Sequence, residues 1–203
     1  MIPDLPSHRT MVRNIRKAYA MADGAEREHG TTWYPQALDI ATTLAKVHHV
    51  DPVTAAGILA AMSPMTGWAE NVRRATAFLA GQPMGHLVNI MTKCDAIRGG
   101  AQPLDVLRGA KVRAFFACIM GSTSTVCVDR HAVDIALGRV TDDATRKVLE
   151  RKGNYDRVAA AYVAAARGLG IVPSACQATT WIAWRRVNDR SWYSVGTKKG
   201  DAA

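Results

Sequence analysis

Asp51-Pro52-Val53-Thr54-Ala55-Ala56-Gly57-Ile58-Leu59-Ala60-Ala61-Met62 reads as one helix almost without a polar face. Asp51 can accept a hydrogen bond from an otherwise unpaired N–H of the first turn. Pro52 suits that turn because the N–H it lacks has no intrahelical partner there. From Val53 to Met62 the apolar side chains point in every direction, so this helix is expected to be central and covered all round. Ser63-Pro64 ends it, since proline cannot donate a backbone hydrogen bond and disfavours helix at the residue before it.

Helical spacing continues outward in both directions. Upstream, Trp33, Ala37, Ile40, Ala41, Leu44 and Ala45 form an apolar stripe, and Gly24 and Gly30 are expected to bracket a loop or helix end. Further upstream, Arg9, Arg13, Arg16 and Lys17 recur on one side of an N-terminal helix. Downstream, Trp68, Val72, Ala75 and Leu79 form a stripe closed by Gly81. A helix is expected over 87–97, and a single turn over 104–107. Val112, Phe115, Phe116 and Ile119 mark the next helix, closed by Gly121. Thr125 to Val128 has the composition of a short strand. Arg130 to Leu137 is expected to be helical with Asp129 at its start, and Thr141-Asp142-Asp143 opens another helix. Tyr155, Val158, Ala159, Tyr162, Val163 and Ala166 make an amphipathic helix. Ser174 with Gln177 has the spacing of a capping box, opening a helix through Trp181, Ile182, Trp184, Arg185 and Arg186. The tail from Gly196 is polar, and disorder is expected there. The chain is therefore read as all-α, a bundle of about eight to ten helices forming a single domain over 1–195.

The 203 residues suit one domain, and 48% hydrophobic residues suffice for a core. Lys and Arg number 26 against 17 Asp and Glu, a net charge of +9, which favours nucleic acid or an anionic surface as partner, a protein that is merely basic being the other reading. No apolar run reaches the roughly 18 residues of a membrane span, and the start of the chain lacks a signal-peptide core, so a cytoplasmic protein with no membrane partner is expected. Cys94, Cys118, Cys127 and Cys176 are widely spaced and mostly in apolar surroundings, which favours reduced, buried thiols over a metal or iron–sulfur site. His48 and His49 are adjacent and would point in different directions, a poor arrangement for ligating a metal, and a cation at a helix end is the simpler reading.

Three segments carry candidate chemistry: Ala60-Ala61-Met62-Ser63-Pro64-Met65-Thr66 with Asn71 and Ala75, Leu107-Arg108-Gly109-Ala110-Lys111-Val112, and Val128-Asp129-Arg130-His131. In that order they resemble the helix-hairpin-helix DNA glycosylase superfamily. The first is similar to the end of a buried helix that carries a wedge residue, the second to the hairpin with its lysine, the third to the segment of the catalytic aspartate. The resemblance spans roughly residues 37 to 140. The chain also resembles small proteins encoded by actinobacterial phages, which would place its work in the cytoplasm of a bacterial host.

The resemblance implies a glycosylase-like helical domain, with two lobes flanking a cleft, that acts on DNA. Asp129 would be the essential carboxylate, stabilising positive charge on the deoxyribose as the base leaves. Lys111 would be the nucleophile, forming a Schiff base with the sugar. A lysine attacks only when neutral, and cationic neighbours favour that form. Arg108, Arg113 and Arg130 stand near in sequence and equally suit phosphates. Met65 falls at the wedge that fills the gap left by a flipped base. Gly109 is the hairpin glycine that lets backbone N–H groups approach a phosphate. His131 would orient Asp129 or bind phosphate, a packed histidine being the other reading. Trp181 and Trp184, beside Arg185 and Arg186, are the stacking candidates among tryptophans that otherwise suit a core. No cofactor or metal is implied.

The hairpin has one glycine where the family pattern has two, and Arg130 follows the aspartate directly. Two further readings therefore stand beside base excision: a DNA-binding protein with the glycosylase fold and no chemistry, and an enzyme that adds a group to bases of phage DNA. Asp129 itself has a second reading, as an ordinary helix cap.

Overall fold

The computed structural model describes residues 4–83, 85 and 88–188. Among these it contains eleven α-helices, one 3₁₀ turn and no strand, so the chain is all-α. Leu87, Trp192 and the tail from Gly196 lie outside the described residues. None of the described helices is by itself long and apolar enough to cross a membrane.

The chain divides into two compact units, Met1–Trp33 with Val128–Ala203, and Tyr34–Cys127. In the second unit the segment read as central is central. Helix α3 (Pro52–Met62) is buried at every position from Ala55 to Met62. Asp51 caps it, Oδ1 accepting from the Val53 N–H at 2.7 Å. Around α3 pack α4 (Trp68–Leu79), α5 (Val88–Arg98), the single turn α6 (Pro103–Val106) and α7 (Ala110–Ile119). A Cβ on Gly57 would stand 2.8 Å from Pro103 Cγ, so glycine is what lets α6 lie against α3. Asn71 of α4 donates to the Leu59 carbonyl at 3.0 Å, tying the two helices by a buried amide.

The first unit begins with α1 (His8–Ala20), capped by Ser7, and takes the start of α2 (Gly24–His48) as far as Trp33. Asp23 and Glu26 open α2 as a reciprocal capping box: the Glu26 N–H donates to Asp23 Oδ1 at 2.8 Å, the Asp23 N–H to Glu26 Oε2 at 3.0 Å. Next in this unit come α8 (Arg130–Leu137), α9 (Asp143–Arg146), a 3₁₀ turn (Lys147–Glu150), α10 (Asn154–Leu169) and α11 (Pro173–Asn188). Helix α1 packs on α8, α10 and α11 through Met11, Ile15 and Ala18. Helices α10 and α11 meet at 97°. Helix α11 is buried from Ser174 to Thr180 and plays in this unit the part α3 plays in the other. The unit also holds a buried ion pair. Asp134, 1% exposed, accepts from Arg146 at 2.7 and 3.2 Å and from the Thr141 backbone and hydroxyl.

Three local readings need correction. Gly30 is no loop residue but lies inside α2, where a Cβ would come within 2.0 Å of Thr179 Oγ1. The glycine serves close packing on α11, a use that sequence spacing alone does not distinguish from a turn. Ser174 is not a cap, because α11 starts one residue earlier at Pro173, with the Cys176 N–H bonded to the Val172 carbonyl. Thr125 to Val128 forms no strand. Its polar backbone atoms find partners outside a ladder: the Thr125 carbonyl accepts from Cys118 Sγ and the Val128 N–H donates to Tyr155 Oη at 3.1 Å. The eleven described helices exceed the expected eight to ten by one, and two of them, α6 and α9, are four-residue turns at the places where the sequence suggested a single turn and a helix entry.

Candidate functional site

In the second unit the candidate chemistry centres on the start of α7. Gly109 precedes the helix with φ 82° and ψ 134°, a backbone conformation that side chains disfavour. It turns the chain so that Lys111 falls in the first turn. No side chain caps this helix, and no acidic residue stands in its first turn. A cation there opposes the helix dipole, so the dipole does not account for Lys111. Its ammonium instead donates to Ser63 Oγ at 3.1 Å and lies 5.4 Å from the centroid of the Phe115 ring. Phe115 in turn meets Trp68 and Tyr34 edge-on, at 6.1 and 6.4 Å. The amine thus sits over an aromatic cluster, held at one side by a buried hydroxyl. Cys127 Sγ lies 3.6 Å from the Lys111 carbonyl.

Ser63 is the C-cap of α3, and two residues on, Met65 has φ 57° and is 96% exposed. A large side chain in the left-handed region is uncommon, and this one also stands in solvent. Arg108 is exposed. Arg113 is occupied: its guanidinium donates to the Leu104 carbonyl and, at 3.3 Å, to that of Leu107, fixing the turn before α7.

In the first unit the chemistry centres on the start of α8. Asp129 is its N-cap, Oδ1 accepting from the Ala132 N–H at 2.8 Å. Its second oxygen makes no hydrogen bond among the described residues. Arg130 is exposed and its Nε donates to His131 Nε2 at 3.3 Å, which requires that nitrogen to be unprotonated. Burial holds the His131 imidazole below its ordinary pKa and Arg130 and Arg185 act in the same direction, with Asp129 opposing them. The His131 ring stands edge-on to Trp181 at 6.4 Å, Trp33 meets the same indole at 6.4 Å, and the Arg185 guanidinium lies over it at 4.7 Å. Arg186 faces elsewhere, paired with Glu26 at 2.6 Å and donating to the Met21 carbonyl at 2.8 Å.

The predicted residues thus gather into two groups, Lys111 with Ser63 and Gly109, and Asp129 with Arg130, His131 and Arg185. Arg113 and Arg186 serve as structural ties. Ser63 as the partner of Lys111 carried no local signal, because 48 positions separate them. Arg185 over Trp181 did carry one, a spacing of four on one helix. The four cysteines are free and buried, and burial pushes the Cys94, Cys118 and Cys176 thiols up to about 12. Among the described residues no group of three His, Cys, Asp or Glu side chains could hold a metal.

No curated protein and no solved structure matches the chain. Residues 4–188 match the model of a family described as a family of unknown function, DUF7178, and over that span, which takes in both groups of candidate residues, the chain belongs to that family.

Proposed function

We propose that this protein binds DNA and excises a modified or damaged base, in the manner of a helix-hairpin-helix DNA glycosylase. Asp129 stabilises the positive charge that grows on the deoxyribose as the N-glycosidic bond breaks, using the carboxylate oxygen not engaged by the helix cap. Lys111 supplies an amine able to attack the sugar and hold it as a Schiff base. The observation that carries the reading is the bond from Lys111 to Ser63. Two segments far apart in sequence, each singled out by the resemblance, meet through the side chain that the resemblance makes the nucleophile. Met65 supports it, since an exposed apolar side chain at a strained position suits insertion between bases.

One observation favours a second reading, DNA binding without chemistry: capping α8 is by itself a sufficient role for Asp129. A base-release assay separates the two. Duplexes carrying uracil, oxidised guanine, alkylated adenine or hydroxymethyluracil are incubated with wild type and Asp129→Asn, then heated in alkali to cleave at any abasic site formed. Excision predicts cleavage by wild type and a loss of about 10²–10⁴-fold in Asp129→Asn. Cleavage of none of the duplexes, with binding intact, leaves the second reading.

A further inference from the structure

The outward face of α1 carries four cations that the proposed excision chemistry does not use. Arg9, Arg13 and Lys17 stand at intervals of four residues and form one row, with Arg16 beside it. All four are exposed, and none forms an ion pair among the described residues. The opposite side of the helix, Met11, Ile15 and Ala18, is buried. The sequence of α1 contains no acidic residue.

Helix stability does not account for this row. Like charges four residues apart weaken a helix. Arg9 lies in the first turn, where the dipole disfavours a cation, and no carboxylate offsets it there. Only Lys17, in the last turn, is placed where the dipole favours it. Arg16 has a structural alternative, since its guanidinium lies over Gly168 near the end of α10. The row from Arg9 to Lys17 rises about 12 Å along the helix. Phosphates of one DNA strand advance about 3.4 Å each along the duplex axis, so the row spans about three to four phosphate steps.

We infer that this face of α1 is a phosphate-binding surface for duplex DNA, set apart in sequence from the segments that carry the candidate chemistry. The inference rests on the DNA-binding part of the proposed function and not on base excision. Its test compares the full-length wild type with Arg9→Gln/Arg13→Gln/Lys17→Gln, leaving Arg16 in place. Binding to a short labelled duplex is followed by fluorescence anisotropy across a potassium chloride series. Each phosphate contact contributes a slope of about −0.9 to log K against log salt, so the variant should lose two to three from the wild-type slope. All three substitutions are on the surface, and an unchanged melting temperature verifies the fold. An unchanged slope in a variant that still binds overturns the inference alone. A wild type that binds no duplex overturns both the inference and the proposed function. A slope difference seen with single-stranded RNA and absent with duplex overturns the choice of partner. A wild type that releases no base but shows the slope difference sinks excision and leaves the α1 surface standing.

Discussion

The helices that carry the two candidate groups begin in opposite ways. Helix α8 starts with a carboxylate that accepts from its own backbone, the arrangement a helix N-terminus favours. Helix α7 starts with a glycine in a conformation few other residues adopt, no side-chain cap and a lysine where the dipole opposes positive charge. Asp129 therefore has a structural explanation whether or not it takes part in chemistry. Lys111 is no cap: within α7 it meets only the Phe115 ring four residues on, and its ammonium reaches out of the helix to Ser63. The residue that sequence reasoning would place second thus becomes the more informative of the two.

The largest expected effect tests that asymmetry at Lys111. Incubation with abasic DNA and borohydride should trap wild type covalently and Lys111→Ala not at all. The same variant should keep its stability within about 1 kcal/mol, since removing a cation from a helix start offsets part of the lost bond to Ser63. Trapping that survives in Lys111→Ala would assign the amine elsewhere. A large loss of stability would make Lys111 a structural residue and erase the contrast with Asp129.

Next in size are the backbone and the cap. Gly109→Ala should cost about 1–3 kcal/mol, because alanine at φ 82° and ψ 134° is strained although the space around it is open. Asp129→Ala should cost about 1 kcal/mol for the lost cap. Asp129→Asn should cost almost nothing, because asparagine caps as well as aspartate. Urea denaturation of the three variants measures this order. Equal losses in Asp129→Asn and Asp129→Ala would show that the charge, not the cap, is what α8 needs.

What the sequence made legible follows the same division. The mostly apolar run from Val53 to Met62 announced a buried helix, because it leaves no continuous polar face, and the structure buries it from Ala55 onward. Asp129 at a helix start was equally legible, since capping is local chemistry. Gly30 was not, because its need for a bare Cα comes from Thr179, about 150 positions away on another helix. Nor was the occupation of Arg113 by the Leu104 and Leu107 carbonyls or of Arg186 by Glu26, since sequence shows a guanidinium but not the acceptors it meets in the fold. Local rules identify where a helix begins. They do not tell which of its cations remain available to a partner.

The smallest effect is a pH dependence confined to the α8 side. Burial holds His131 below its ordinary value in the folded protein, while in the unfolded chain it titrates near 6.5. Above that pH both states carry a neutral imidazole, and the packing of His131 against Trp181 contributes its full stability. As the pH falls below 6.5 the unfolded chain takes up the proton first, and stability falls until the folded protein also titrates. Thermal melts between pH 7.5 and 5 should therefore show a decline in wild type that is shallower in His131→Gln, whatever that variant's melting temperature at neutral pH. A decline equally steep in the variant would assign the pH dependence to other groups. It would also mean that His131, although neutral and half-buried beside Asp129, contributes to α8 only by packing.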